Sequence, residues 1–239
     1  MSEERNGRRG MPAGGARAPA GRSRRRPAFA DRSDAGRQLA ELLAPLAREH
    51  PILYAIPRGG VPVAAEAARA LGAALDVVCV CKVRAPGNPE FAIGALAEGG
   101  VCVLSDTAME ALCLTDEDAR ALLARAGEQL QEQIDRYRSI RPPIPPNGRT
   151  AIVVDDGLAT GRSALAAVRS LRRRGAGRVL LAVPVAARES LAAIEADTDG
   201  VICVEAPVAM RAVGWWYERF GPPSEEQVAA LLRPRPSRA

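Results

Sequence analysis

The chain alternates between short, continuous apolar runs and longer runs whose apolar residues recur at helical spacing. Five apolar runs have the length of buried parallel strands, and they begin at residues 52, 75, 151, 179 and 200. Amphipathic runs separate them, as in the first one, whose apolar face is Leu39, Leu42, Leu43 and Leu46. Strands that alternate with helices predict an α/β fold with a parallel sheet and right-handed crossovers.

The first amphipathic run has polar residues that can start a helix. Asp31 or Ser33 is expected to cap it. Arg32 precedes this helix, where it would either point toward a ligand or lie at the surface.

A second helix start lies in the middle of the chain. Thr115, with Asp118 three residues later, forms a capping-box sequence that predicts a helix over residues 115–137. A helix this long, inserted between strands, would pack on the core or on a partner subunit.

The strand predictions have three further details. Residues 75–81 are expected to form one continuous strand with Lys82 at its carboxyl end. Residues 93–97 and 101–104 are expected to pair as a hairpin. Pro184 is expected to end the pairing of the fourth parallel strand early, because proline has no N–H to donate.

Two adjacent carboxylates, Asp155 and Asp156, follow the strand at 151–154, and a loop of small residues leads from them into a helix over residues 162–174. The N–H groups of the loop and of the first helical turn lack intrahelical partners, and the helix dipole favours negative charge there. The loop therefore suits a phosphate, and the carboxylates suit hydroxyl donors or a cation. An ordinary β–α turn that happens to carry two acids is the alternative.

A ribose 5-phosphate unit carries both features, vicinal hydroxyls at one end and a phosphate at the other. We expect Asp155 and Asp156 to accept hydrogen bonds from the 2′- and 3′-hydroxyls. The residues expected to bind the phosphate are Gly157, Ala159, Thr160, Gly161, Arg162 and Ser163.

A second glycine-rich loop follows the strand at residue 52. Gly59 and Gly60 allow close approach of the backbone to a ligand, and the Arg58 guanidinium can pair with a phosphate, although a simple turn would also use this sequence. Lys82 is a candidate for the same anion or a charged strand terminus. Glu90 is a candidate substrate contact or general base, or else it stabilises its loop.

Other classes of site are disfavoured. The loops lack both the Gly-Lys-Ser/Thr ending of a Walker A motif and the dinucleotide-binding Gly-x-Gly-x-x-Gly pattern. His50 is the single histidine, and the five cysteines form no Cys-x-x-Cys pair, so Ser-His or Cys-His chemistry, a zinc site and a disulfide are not expected.

The formal net charge of +5 comes from one end of the chain. Residues 1–27 hold eight arginines and two glutamates, which leaves about −1 for the rest. We therefore expect no specific nucleic-acid site on the domain. Residues 1–27 and 234–239 are expected to be disordered tails around a domain at 28–233. With no apolar run of about 20 residues, a cytoplasmic protein without membrane contact is expected.

Half of the chain's aromatic residues lie close together near its end: Trp215, Trp216, Tyr217 and Phe220. They would either stack on a planar acceptor or close the C-terminal core.

The sequence Val153-Val-Asp-Asp-Gly-Leu-Ala-Thr-Gly-Arg-Ser163 resembles the phosphoribosyl pyrophosphate (PRPP) signature of type I phosphoribosyltransferases. Arg162-Ser163 departs from the small residue plus threonine that often follows Thr-Gly. With Pro-Arg-Gly-Gly-Val-Pro-Val-Ala from residue 57 and Ala-Pro-Gly-Asn-Pro-Glu from residue 85, the chain resembles a subgroup of predicted phosphoribosyltransferases of uncertain acceptor over residues 28–233.

The resemblance implies a parallel sheet flanked by helices, with a small hood and an inserted long helix. It implies a Mg²⁺-dependent transfer of the 5-phosphoribosyl group of PRPP to a base-like nitrogen in nucleotide metabolism, with release of pyrophosphate, and it allows a homodimer. It also implies a mobile loop near residues 83–104. The catalytic residues would be Asp155, Asp156, Lys82, Arg58 and Glu90. No direct protein ligand of the metal is assigned, and Asp155 and Asp156 would contact it through water or the ribose. A PRPP-binding regulator without catalysis, or a scaffold that uses the 115–137 helix, remain the alternatives.

Overall fold

The computed structural model describes residues 27–233, apart from the side chain of Pro89. The predicted tails at 1–27 and 234–239 therefore lie outside the described residues, except for Pro27. The strands are β1 (Ile52–Ala55), β2 (Ala74–Val77), β3 (Val80–Ala85), β4 (Asn88–Ala97), β5 (Val101–Leu104), β6 (Thr150–Val154), β7 (Arg178–Val185) and β8 (Val201–Glu205). The α-helices are α1 (Arg32–Leu43), α2 (Gly60–Leu71), α3 (Asp106–Ala111), α4 (Asp116–Ile140), α5 (Arg162–Arg173), α6 (Arg188–Glu195) and α7 (Glu225–Leu232).

The five predicted strands form one parallel sheet in the order β2-β1-β6-β7-β8. The sheet is buried on both faces, because all four residues of β1 are buried and alternate residues face opposite layers. Leu53 packs with α1, α2, α4 and α7, and Tyr54 packs on the other face with α5. The α/β prediction is confirmed.

A second, antiparallel sheet of β3, β4 and β5 corrects the strand predicted at 75–81. The apolar run at residues 75–81 is divided between two strands, since β2 ends at Val77 and β3 begins at Val80. Val78 N still donates to Ala55 O of the parallel sheet. The run is continuous in sequence because its middle is buried too, with Cys79 fully inaccessible. Lys82 therefore lies within β3, not at the end of a parallel strand.

The hairpin predicted at 93–97 and 101–104 is confirmed as the β4–β5 pair. The prediction for Pro184 is wrong, because β7 continues to Val185 and pairs with Glu205 of β8. On its other side, β7 pairs with β6 only as far as Ala182. In the pairing with β8, Val183 and Val185 have partners and Pro184 has none.

The inserted helix α4 begins at the predicted capping box, in which Thr115 and Asp118 cap each other's backbone N–H groups. It packs on the core through Leu130 and Tyr137. Arg138 Nη1 also lies 2.7 Å from Oδ1 of the fully buried Asp76, an ion pair that connects α4 to the edge strand β2 of the parallel sheet.

The short helix α3 was not predicted from the sequence. Among the described residues, none of the helices combines the length and apolarity required to cross a bilayer.

Candidate functional site

The loops after β1 and β6 open into one cavity of about 460 Å³. They meet because β1 and β6 are neighbours in the parallel sheet, so their carboxyl ends lie at the same edge. Of the residues predicted to form the site, those that line the cavity are Arg58, Gly59, Lys82, Asp155, Asp156, Gly157, Ala159, Thr160, Gly161 and Ser163.

The two loops are in direct contact through glycine. A Cβ atom on Gly59 would lie 2.1 Å from Oδ2 of Asp156, and one on Gly60 would lie 2.5 Å from the carbonyl oxygen of Val154. Any side chain at either position would push the loops apart. The paired glycines therefore set the distance between Arg58 and the two carboxylates.

A buried arginine holds the second carboxylate of the pair. Arg32 Nε donates to Asp156 Oδ2 at 2.8 Å, its Nη1 donates to Gly221 O at 2.7 Å, and its guanidinium lies 4.0 Å from the centre of the Phe220 ring. Both partners of the ion pair are shielded, with side-chain exposures of 10% for Arg32 and 16% for Asp156. The first carboxylate, Asp155, accepts from the backbone N–H of Asp156 at 2.8 Å.

The electrostatics of the two acids differ. Burial, and then the charge of Asp156, raises the pKa of the Asp155 carboxyl well above its ordinary value, with the charges of Lys82 and Arg32 opposing the rise. Burial also raises the pKa of Asp156, but there the Arg32 charge and hydrogen bond are the main opposing influences. Asp155 thus carries the less compensated charge, and hydroxyl donors or a cation would stabilise its ionised form.

The loop predicted to bind phosphate, residues 157–163, which we call the phosphate loop, is fixed by hydrogen bonds to the neighbouring connection between β7 and α6. Leu158 N donates to Val185 O at 2.8 Å, and the Ser190 hydroxyl donates to Ala159 O. Gly161 is the N-cap of α5 with φ of +75°, and it provides no side-chain cap. The start of α5 therefore has no side-chain cap, and its residues Gly161, Ser163 and Ala164 line the cavity. An uncapped helix N-terminus at a cavity is suited to an anion.

Three of the predicted residues do not line the cavity: Gly60, Arg162 and Glu90. Arg162 Nη1 is directed to Ala92 O at 3.5 Å and does not line the cavity. Glu90 is exposed on β4, where its N–H donates to Asn88 Oδ1 at 3.2 Å, and it too is outside the cavity lining.

The segment between β8 and α7, residues 206–223, forms the hood. It closes the other side of the cavity through Val213, Phe220, Pro222 and Pro223. The Tyr217 hydroxyl donates to Asp156 O at 2.6 Å, which fixes the hood to the acidic pair. Tyr217 is buried in the core, which is one of the two expected roles, and Phe220 borders the cavity. Trp215, at 68% exposure, does neither.

Sequence reasoning missed how Arg32 and Ser190 support the site. Arg32 lines the cavity, which is one of the two positions expected for it. Its pairing with Asp156 could not be predicted, because the two residues are 124 positions apart and no local sequence pattern connects them. Ser190 lies in the first turn of α6 and has no sequence signal that links it to the phosphate loop.

Three comparisons relate the chain to known proteins. A family model described as the phosphoribosyl transferase domain matches residues 31–218. Two Mycobacterium tuberculosis proteins, of strains CDC 1551 and H37Rv, each named "Putative phosphoribosyl transferase", are 44% identical over 207 residues. The match covers 85% of this chain and 46% of each relative, so the chain spans about half of their length.

A solved structure is similar over nearly its whole length. The crystal structure of TT1426 from Thermus thermophilus shares 45% sequence identity with this chain at a TM-score of 0.72. The match covers 85% of this chain and 97% of that protein.

Proposed function

The chain belongs to the phosphoribosyl transferase domain family, as a type I member, and on that premise we propose that it moves a 5-phosphoribosyl group from PRPP to a base-like nitrogen nucleophile. Pyrophosphate is the second product. One observation carries the proposal: the acidic pair and the phosphate loop, which are adjacent in sequence, line the same cavity as the Arg58 loop.

The three parts of the cavity match the three parts of the donor. The carboxylates of Asp155 and Asp156 accept from the ribose hydroxyls, and the α5 N-terminus binds the 5-phosphate. The pyrophosphate lies at the α2 N-terminus, whose N-cap Gly59 also lacks a side-chain cap, beside the cations Arg58 and Lys82.

In the reaction, the bond between C1 of the ribose and the pyrophosphate oxygen breaks, and its electron pair leaves with pyrophosphate. The nitrogen lone pair of the acceptor forms the new C–N bond, and the nitrogen then releases a proton. Positive charge develops on the ribose and negative charge on the leaving group, so positioning and electrostatics supply most of the catalysis. Arg58 and Lys82 stabilise the leaving group, and the two carboxylates lie near the developing ribose cation.

The donor set at the site suits Mg²⁺ as a substrate-borne ion. Magnesium uses one or two carboxylates together with substrate phosphates and water, and Asp155 and Asp156 are two half-buried carboxylates with raised pKa values that line the cavity. No group of three or more metal-ligating side chains occurs within residues 27–233, so the remaining ligands would come from PRPP and water. Bound there, the ion would neutralise charge on the leaving pyrophosphate.

The residues of the hood favour a planar acceptor. Its cavity wall is apolar, through Val213, Phe220, Pro222 and Pro223. The Phe220 ring is already covered by Arg32 at 4.0 Å, so it serves as a wall rather than as a free stacking face.

The test is pyrophosphate release from PRPP and Mg²⁺ across a panel of purine, pyrimidine and other nitrogen-containing bases. We expect release that depends on one class of acceptor in the wild type and is lost in Asp156→Asn. Asp116→Asn, which removes an exposed carboxylate at the start of α4, is the matched control and should retain activity.

The outcomes separate the candidate functions. PRPP binding without release of pyrophosphate for any acceptor would favour a regulator, and absence of PRPP binding would favour a scaffold. Full affinity and turnover in Asp156→Asn would contradict the roles assigned to the acidic pair.

A further inference from the structure

A second cavity of about 440 Å³ adjoins the first at Arg58 and Lys82, and the acidic pair does not line it. The two cavities share Arg58, Lys82, Pro57 and Val80. We call the second one the outer basin, bounded by Arg58, Lys82, Arg136, Tyr137 and Glu225. Its far wall comes from the inserted helix α4 and from the first residue of α7.

One carboxylate of the chain receives several donors in the outer basin. Arg136 Nη1 donates to Glu225 Oε1 at 2.8 Å, and the Tyr137 hydroxyl donates to Glu225 Oε2 at 3.3 Å. Arg58 Nη1 also lies 3.9 Å from Glu225 Oε1. Phosphate oxygens accept from the same kinds of donor, so Glu225 occupies a position that suits a phosphate group.

The charge of the outer basin also favours an anion. Four cationic side chains line it, and they outnumber two acids; the cations are Arg58, Lys82, Arg84 and Arg136, and the acids are Glu132 and Glu225. The ion pairs at Glu225 are partly exposed, with 43% of the Arg58 side chain, 53% of Arg136 and 37% of Glu225 accessible. Pairs this exposed are weak, so a multiply charged ligand can displace the carboxylate.

We propose that the outer basin is a subsite for pyrophosphate and that Glu225 is its intramolecular competitor. The inference rests on the proposed function, in which the leaving group forms beside Arg58 and Lys82. The basin begins at the same two cations, and none of the hood residues that line the first cavity lines the basin. Pyrophosphate therefore moves into it and leaves without crossing the acceptor's wall, and Glu225 returns to Arg58 once the anion has gone.

Calorimetric titration of inorganic pyrophosphate tests this directly, in EDTA and without PRPP or acceptor. We expect Glu225→Gln to bind pyrophosphate two- to fivefold more tightly than the wild type. Glu226→Gln is the matched control, because it removes an exposed carboxylate from the same first turn of α7 and should leave the affinity unchanged.

The partner variant should move the affinity the other way. Arg136→Gln is expected to bind pyrophosphate two- to fivefold more weakly, and Arg136→Lys should recover part of the loss because it keeps a positive charge. Arg136 is exposed on α4, so these variants should fold, and a thermal unfolding curve checks this. Equal affinities for Glu225→Gln and Glu226→Gln, or an unchanged affinity in Arg136→Gln, would overturn the proposal.

Failure of the subsite and failure of the proposed function give different results. If no acceptor supports turnover but the four variants keep the expected order, the subsite stands and phosphoribosyl transfer fails. If transfer occurs and the variants bind pyrophosphate alike, the subsite alone is wrong. In an active enzyme, the inhibition constant of pyrophosphate should follow the same order as its affinity.

Discussion

The two adjacent carboxylates of the site should respond in opposite directions to the same substitution. Asp155→Asn removes a half-buried carboxylate whose pKa is raised by its partial burial and by the charge of Asp156. Asp156→Asn removes the partner of Arg32, which is only 10% exposed. We therefore expect Asp155→Asn to stabilise the ligand-free protein and Asp156→Asn to destabilise it.

The magnitudes follow from the environment of each group. A raised pKa means that the folded state binds the proton more tightly than the unfolded state, so stability is lost as pH rises from the ordinary carboxyl value, 3.8, to the folded pKa of Asp155. Each pKa unit relieved by asparagine is worth about 1.4 kcal/mol at neutral pH. Breaking a fully buried ion pair costs about 3–5 kcal/mol. For Asp156 the loss should fall below this range, because its side chain is 16% exposed and because asparagine also relieves the burial that raises the pKa of Asp156.

The assay is thermal and urea unfolding of the wild type and both variants without ligand, at pH 7.5 and pH 4. One kcal/mol corresponds to about 2–4 °C in Tm for a chain of this size. Asp155→Asn should raise Tm at pH 7.5 and lose most of that advantage at pH 4, although it should also lose turnover. A lower Tm for Asp155→Asn at pH 7.5, or equal losses in both variants, would refute this electrostatic account.

Two further predictions concern the loops and the inserted helix. Gly59→Ala should lower the free energy of unfolding by about 1–3 kcal/mol and weaken PRPP binding, because its Cβ would clash with Asp156. Gly127→Ala, in the middle of α4 with no contact closer than 3.9 Å, should instead raise the free energy of unfolding by about 0.5–1 kcal/mol. Urea unfolding measures both changes in stability, and calorimetry with PRPP measures the change in binding. Thr115→Ala removes the α4 capping box and should cost about 1 kcal/mol without changing turnover; a loss of turnover at unchanged stability would be the opposite result.

The parts of the molecule that the sequence predicted are those with local causes. The α4 start depends on Thr115 and Asp118, which are three residues apart, and the β4–β5 hairpin joins segments separated by three residues. The meeting of the two ligand loops also follows from a general property of parallel sheets, because the loops after neighbouring strands, here β1 and β6, emerge at the same carboxyl edge.

The parts that were missed or wrong depend on contacts between distant segments. Whether residues 75–81 form one strand or two depends on the second sheet, in which Cys79 O accepts from Glu98 N. Arg32 reaches Asp156 across 124 positions, and Glu225 reaches Arg136 across 89. In each case the residue type permits many partners, and only the packed fold selects one.

The measurement that tests the central claim most directly is calorimetry with three ligands: ribose 5-phosphate, 2-deoxyribose 5-phosphate and ribose. If the two carboxylates and the phosphate loop hold opposite ends of one sugar phosphate, ribose 5-phosphate should bind, and loss of either the 2-hydroxyl or the phosphate should weaken binding about tenfold or more, since a hydrogen bond to a charged group is worth about 1.5–3 kcal/mol. Asp155→Asn should reduce the preference for ribose 5-phosphate over its deoxy analogue. Equal affinity of the wild type for the two sugar phosphates would contradict the account.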